Sequence, residues 1–94
     1  MGGNIYSRPI PRQRGRVKWF NRTSGYGFIE VRTDDSLLTR DIFVHYSSIY
    51  ANAKGYRYLT KGEEVEFDLA KPERGDHEFH AVNVTVLGKE FIVI

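Results

Sequence analysis

The 94-residue sequence contains no cysteine, which excludes a disulfide framework and a zinc site built on thiolates. It also lacks any apolar run of about 18 residues, so a membrane-spanning helix is excluded. The first residues have no apolar stretch like that of a secretory signal. We therefore expect a cytoplasmic protein, or a nuclear one if the source is eukaryotic or viral. The length suits one small domain with a single modest core.

Acidic residues are missing from the first 24 positions. That segment carries six basic residues, whereas the rest of the chain carries the other eight and all 12 acidic ones. A polarised charge favours an acidic partner that approaches one end of the molecule. Residues 1–14 combine glycines, prolines and arginines without a strand pattern, which predicts a disordered basic arm. Two roles stay open for Arg8, Arg12 and Arg14: they extend a groove along a phosphate backbone, or they belong to a solubilising arm.

No stretch shows the apolar spacing of an amphipathic helix. Short alternating segments separated by turn residues instead predict five strands, at residues 16–21, 26–31, 41–46, 63–69 and 78–87. Five short strands are typical of a small barrel, because closing the sheet removes its exposed edges. We therefore expect an all-β domain over residues 15–87, between the arm at 1–14 and an apolar tail at 88–94. The tail is a docked strand extension, a partner-binding edge or a dimer contact, and we expect a monomer or a weak dimer.

Aromatic residues exceed what the predicted core can hold. The alternating side chains assigned to the core are Val17, Ile29, Val31, Ile42, Val44, Val65, Phe67, Val82 and Val84. They fill a core of this size, so further large rings are too many for a barrel closed by five strands. Alternation then directs Tyr26 and Phe28 outward on the second strand, and Phe43 and His45 outward on the third. Trp19 either alternates inward or is displaced outward by a bulge.

Exposed rings beside basic residues suit single-stranded nucleic acid. Every base has a π face that stacks on an aromatic ring, at about 1–3 kcal/mol per base, and cations neutralise the phosphates. The same surface also suits an alternative, a small β-barrel interaction module that binds an extended or Pro-rich peptide. An enzyme is not expected, because no nucleophile or paired carboxylate accompanies His45. His77 and His80 face opposite sides of a strand, so we expect neither a metal nor another cofactor.

Four parts of the chain together resemble the cold-shock domain family. They are KWFN at 18–21 with GYGFI at 25–29, DIFVHY at 41–46, GYRYL at 55–59 and AVNVT at 81–85. The first part resembles the first ribonucleoprotein motif of the family, and DIFVHY resembles the second. The matches follow the family's order across about residues 15–87, so the joint resemblance is highly specific.

The resemblance implies an OB-fold barrel of five antiparallel strands that binds single-stranded RNA or DNA, with low sequence specificity and an RNA-chaperone-like action. The base-stacking residues that it implies are Trp19, Tyr26, Phe28, Phe43, His45 and Tyr56. Tyr46 would be a peripheral stacking residue or partly a core residue. Lys18 would contact phosphate, and Asn21 and Asp41 would hydrogen-bond base edges.

The turn after the first strand both matches the family and departs from it. Gly25 and Gly27 match, and they would permit the turn and keep the stacking surface clear of side chains. Ser24 stands where bacterial members of the family often carry lysine, so one contact with the nucleic-acid backbone is missing. Arg22 is the candidate substitute for that contact.

Overall fold

The computed structural model describes residues 12–32, 38–71 and 79–88. Its strands are β1 (Gln13–Asn21), β2 (Tyr26–Arg32), β3 (Thr39–His45), β4 (Glu64–Ala70) and β5 (His80–Val86), with a 3-10 turn at Tyr46–Ser48. All five predicted strands are present, with ends that differ from the predicted ones by at most three residues. The largest difference is at β1, which begins at Gln13 because its first residues pair with β4.

The five strands form a closed barrel in the order β1-β2-β3-β5-β4. Neighbouring strands pair antiparallel except β3 and β5, which run parallel and bring Phe43 beside His80 and Val44 beside Ala81. Closure gives every strand two neighbours, so no edge of the sheet is left open. The expected all-β barrel of OB type is confirmed, and among the described strands the β3–β5 pair is the one parallel pairing.

Apolar side chains from all five strands fill the barrel. The buried members of this core are Val17, Ile29, Ile42, Val44, Ile49, Leu59, Val65, Phe67, Ala81 and Val84. Each fully buried Val, Leu, Ile or Phe contributes about 1.5–3 kcal/mol to folding. Ile49 and Leu59 come from the β3–β4 connection and were not predicted, whereas the predicted Val31 is only partly buried. Because this core is complete without the tryptophan and most of the phenylalanines, those rings are free to lie elsewhere.

A β-bulge in β5 changes which of its residues face the core. Asn83 and Val84 lie together opposite Phe67 of β4, and Asn83 adopts a φ of 54°. The extra residue interrupts the alternation of the strand. Ala81 and Val84 are therefore both buried, whereas Val82 is half-buried. The prediction that Val82 lies in the core is wrong for this reason.

The β1–β2 turn depends on two glycines. Gly25 has a φ of 81°, and its N–H donates to the Asn21 carbonyl at 2.7 Å. Asn21 Oδ1 also accepts the Ser24 N–H, at 2.8 Å. A Cβ at Gly27 would overlap the carbonyl oxygen of Trp19. Gly27 thus allows β2 to approach the part of β1 that carries Trp19.

Some sequence-based expectations concern residues outside the described ranges. These are residues 1–11 of the predicted arm, His77, and residues 89–94 of the apolar tail. The predicted domain boundaries therefore stay predictions. Within the described part of the chain, no helix is long and apolar enough to cross a membrane.

Candidate nucleic-acid interface

A second β-bulge, in β1, decides the direction of Trp19. Val17 pairs with Ile29 and Trp19 pairs with Phe28, so Lys18 is an extra residue between two consecutive pairs. The bulge breaks the alternation that would otherwise place Val17 and Trp19 on one face. Val17 is 2% exposed, whereas Trp19 is 38% exposed. Of the two orientations that the sequence left open, the structure has the outward one.

Four aromatic rings form a continuous outer surface on β1, β2 and β3. The centroid of the Trp19 ring lies 5.6 Å from that of Tyr26 and 5.4 Å from that of Phe28. The Phe43 ring is stacked on Tyr26 at 5.7 Å and meets Phe28 edge to face at 5.8 Å. Favourable aromatic pairs adopt such separations. The strand register explains the cluster, because Phe28 pairs with Trp19 on one side and with Phe43 on the other.

His80 extends this surface onto β5. Its ring centroid lies 4.8 Å from that of Phe43, because the parallel β3–β5 pairing places the two residues side by side. Sequence reasoning considered His80 only as a metal ligand, and the described residues contain no cluster of three groups that could hold a metal ion. We call Trp19, Tyr26, Phe28, Phe43 and His80 the aromatic platform.

His45 and Tyr46 lie at the turn-proximal edge of the platform. His45 pairs with Tyr26 across β2 and β3, and its ring centroid lies 4.6 Å from that of Tyr46. His45 Nδ1 lies 2.8 Å from Ser47 Oγ and accepts the Ser47 N–H at 3.3 Å. These contacts hold the imidazole in one orientation. Tyr46 is exposed rather than part of the core, so the first of its two expected roles fits its position.

Tyr56 stands apart from the platform. It is 60% exposed, and its ring lies 6.4 Å from that of Tyr58. The Arg22 guanidinium lies over the other tyrosine, with Cζ 3.7 Å from the Tyr58 centroid, in a cation–π arrangement. Asn52 holds the loop, since its Oδ1 accepts the Tyr56 N–H at 3.0 Å. The expected stacking residue Tyr56 therefore belongs to a separate arginine–tyrosine cluster.

Lys18 and Asp41 contact each other across the sheet. Lys18 Nζ donates to Asp41 Oδ2 at 2.8 Å. This hydrogen bond and the negative charge of Asp41 raise the pKa of Lys18 above its usual value, and the charge of Glu30 adds to the effect. Lys18, which was expected to contact a phosphate, and Asp41, which was expected to hydrogen-bond a base edge, are thus hydrogen-bonded to each other. Asn21, also expected at a base edge, uses Oδ1 in the turn and keeps its amide nitrogen for another partner.

The arginines at the start of β1 are engaged with acidic residues of β4. Arg14 Nε lies 2.9 Å from Glu66 Oε2, and Arg16 Nη2 lies 3.0 Å from Glu64 Oε2. Arg12 lies 3.4 Å from an oxygen of Asp68 and also donates to the carbonyl of Asn83. Arg12 and Arg14 are therefore paired with β4 and β5 rather than free, and whether they also extend a groove along a phosphate backbone stays a prediction. Much of the basic charge that the sequence concentrates near the N-terminus is neutralised by acids more than 45 positions away.

Basic residues elsewhere keep their charge available. In the three described ranges, no carboxylate forms an ion pair with Arg22, Arg40 or Arg57. Arg22 and Arg57 flank the Tyr56–Tyr58 cluster, and Arg40 precedes Asp41 on β3. Positive charge that no described carboxylate pairs thus lies beside the Tyr56–Tyr58 cluster and next to Asp41.

Comparison with known proteins agrees with this geometry. The family model described as the "Cold-shock" DNA-binding domain matches residues 13–87. Cold shock protein CspA of Staphylococcus saprophyticus is 40% identical over 72 residues, which cover 77% of this chain and 98% of that protein. Cold shock protein CspB of Bacillus caldolyticus and cold shock protein CspD of Bacillus subtilis match with the same identity and coverage. The chain therefore belongs to the cold-shock domain family of nucleic-acid-binding proteins.

Proposed function

We propose that this protein binds single-stranded RNA or DNA by stacking bases on the aromatic platform, without catalysing a reaction. The observation that carries the proposal is the continuous contact of Trp19, Tyr26, Phe28 and Phe43 on the outer face of three adjacent strands. Each stacked base contributes about 1–3 kcal/mol whatever its identity. Low sequence preference follows, because stacking carries little information about the base.

The polar residues beside the platform supply the remaining contacts. Lys18 and Asp41 each use one atom on the other. Two ammonium hydrogens and one carboxylate oxygen therefore stay available for a phosphate or a base edge. The Asn21 amide nitrogen offers one further donor. His45 and Tyr46 extend the stacking surface at one edge, and Tyr56 provides a stacking position beyond it.

An RNA-chaperone-like action follows from binding alone. A protein that binds unpaired strands and not duplexes shifts the folding equilibrium of RNA by mass action, with no need for ATP. Short sites of low affinity suit this action because the bound protein dissociates readily from the RNA. The cytoplasmic location expected from the sequence stays a prediction.

A fluorescence titration tests the proposal. Trp19 is the only tryptophan in the chain, so a base that stacks on its ring quenches the tryptophan fluorescence of the protein. We expect saturable quenching by an oligopyrimidine of about six to ten nucleotides. The affinity should fall with salt at a log–log slope of about −0.7 per neutralised phosphate.

Two controls accompany this titration. A duplex of the same sequence should quench weakly, because its bases are already stacked on each other. A Pro-rich peptide should leave the fluorescence unchanged. Quenching by the peptide alone, or no quenching by the oligonucleotide at micromolar protein and low salt, would favour the peptide-binding alternative and contradict the proposal.

A further inference from the structure

The loop that carries Tyr56 is folded around one residue, Asn52. The side-chain oxygen Oδ1 of Asn52 accepts the N–H of Lys54 at 2.9 Å and the N–H of Tyr56 at 3.0 Å. The backbone of Asn52 donates to the Tyr56 carbonyl at 2.8 Å and accepts the Gly55 N–H at 2.8 Å. Hydrogen bonds from a single half-buried residue thus close the segment 52–56.

The Tyr56 ring itself receives little support from packing. It is 60% exposed, and its centroid lies 6.4 Å from that of the Tyr58 ring. A side chain with so few neighbouring atoms takes its position from the backbone that carries it. The hydrogen bonds of Asn52 therefore determine where the ring lies.

The rest of the β3–β4 connection is anchored on both sides of this segment. Before it, the Tyr50 N–H donates to the Val84 carbonyl at 2.9 Å. After it, Leu59 is 2% exposed in the core of the barrel. These anchors fix the ends of the loop, and the Asn52 side chain ties together the backbone between them.

A loop that is ordered before binding gives a tighter contact than one that the ligand must order. Fixing the dihedral angles of a backbone costs conformational entropy, and in a preorganised loop this cost falls on folding rather than on binding. If Tyr56 moved among several positions in the free protein, the apparent affinity would fall with the fraction in the competent one. The order of the segment 52–56 is thus of direct use to a stacking ring.

We propose that Asn52 is a positioning residue, which holds the Tyr56 ring ready to receive a base. Asn52 itself does not contact the nucleic acid and acts through Tyr56. The proposal rests on the proposed function, because the stacking position at Tyr56 is part of that function.

A double-mutant cycle tests this role. Affinity for an oligothymidylate of about ten nucleotides, read from Trp19 quenching, should fall about tenfold in Tyr56→Ala, since one stacking position is lost. Asn52→Ala keeps the ring but releases the loop, and we expect an affinity about three- to tenfold lower. The double variant should bind no more weakly than Tyr56→Ala, because no ring is left for Asn52 to position.

Hydrogen exchange and a conservative variant distinguish positioning from a general loss of structure. In Asn52→Ala the amides of Lys54 and Tyr56 should exchange faster, whereas the amides of the strands should stay protected. Asn52→Asp keeps an oxygen acceptor and should restore slow exchange. At about 0.3 M salt, which screens its added charge, Asn52→Asp should also restore most of the affinity.

Asn83→Gly is the matched control. It removes another asparagine side chain, which donates to Asp68 Oδ2 at 2.9 Å. Glycine adopts the φ of 54° at this position without strain. This variant should leave the oligonucleotide affinity unchanged, and thermal unfolding of every variant identifies any loss of the fold.

The outcomes separate the two proposals. A wild-type protein that binds no oligonucleotide contradicts the proposed function itself. If the wild type binds, an unchanged affinity in folded Asn52→Ala or in Tyr56→Ala overturns the role of Asn52 without contradicting stacking on the platform. A full further loss when Asn52→Ala is added to Tyr56→Ala overturns it as well, because Asn52 would then act independently of the ring.

Discussion

The β1–β2–β3 face and the β1–β4 side of the barrel differ in the kind of side chain that they expose and in how those side chains are paired. On the first, aromatic rings contact one another and stay accessible, with Trp19 38% exposed. On the second, Glu64 and Glu66 are engaged by Arg16 and Arg14 from the neighbouring strand. The first side has exposed rings that are accessible to a partner, whereas the charged side chains of the second side are paired within the protein.

This difference shows that a count of charge along the sequence overstates the positive charge that folding leaves available near the N-terminus. The acid-free first 24 residues look like the natural phosphate site. In the folded barrel, pairing with β4 neutralises Arg14 and Arg16. A cation already paired with a carboxylate displaces few counterions from a nucleic acid. Among the described residues, Arg22, Arg40 and Arg57 form no ion pair with a carboxylate and keep their positive charge available.

The largest expected effect is a difference in the free energy of unfolding between a core substitution and a platform substitution. Phe67 is fully buried, so Phe67→Ala should lower the free energy of unfolding by about 3–5 kcal/mol. Phe43 is half-buried and contacts other platform rings, so Phe43→Ala should cost under about 2 kcal/mol. The same Phe43→Ala variant should weaken oligonucleotide binding by about tenfold, as expected for one lost stacking position.

Denaturant unfolding and the Trp19 titration, measured on both variants, test this contrast. Phe67→Ala serves as the control, because any folded fraction of it should keep the wild-type affinity. A stability loss of about 3–5 kcal/mol for Phe43→Ala, with unchanged binding by the folded protein, would place that ring in the core instead.

A smaller effect should come from the β1–β4 side. Glu66 contacts both Arg12 and Arg14, and Glu66→Gln should destabilise the fold by at most about 1 kcal/mol, because exposed ion pairs contribute little. Binding at about 0.15 M salt should stay within about twofold of wild type, since screening limits the influence of distant charges. A double-mutant cycle with Arg14→Gln gives the coupling energy of the pair. A tenfold loss of affinity in Arg14→Gln would mean that this side also binds the strand.

The smallest effect concerns the proton of Lys18. Because Asp41 raises the pKa of Lys18, the stabilisation from this pair is complete at neutral pH. It is lost only as the pH rises through the raised pKa, in the alkaline range above 10.5. In Asp41→Asn the pKa of Lys18 should fall towards its usual value, as measured by an NMR pH titration of the Lys18 side chain. An unchanged pKa would show that the two groups do not interact in solution.

The strands and most of the core could be predicted because their signals are local. Alternation along each strand identified Ile29, Val44 and Val65 as buried and Phe28 as outward. The family resemblance then supplied a role for the outward rings. These predictions needed no knowledge of which strands are neighbours.

The remaining features depend on pairing between distant parts of the chain. The bulges at Lys18 and Asn83 shift the alternation, and each is defined only by the register with another strand. His80 reaches the platform through a parallel pairing with β3. The engagement of Arg14 by Glu66 likewise needs the β1–β4 register. None of these leaves a signal within a short window of sequence.

An NMR titration of isotope-labelled protein with a short oligothymidylate tests the central claim most directly. The account predicts progressive shift changes at the Trp19 indole and at the amides of Phe28, Phe43 and His80, with the amides of Glu64–Ala70 on β4 left nearly unchanged. Changes concentrated on β4, or no changes on the platform at saturating oligonucleotide, would contradict it.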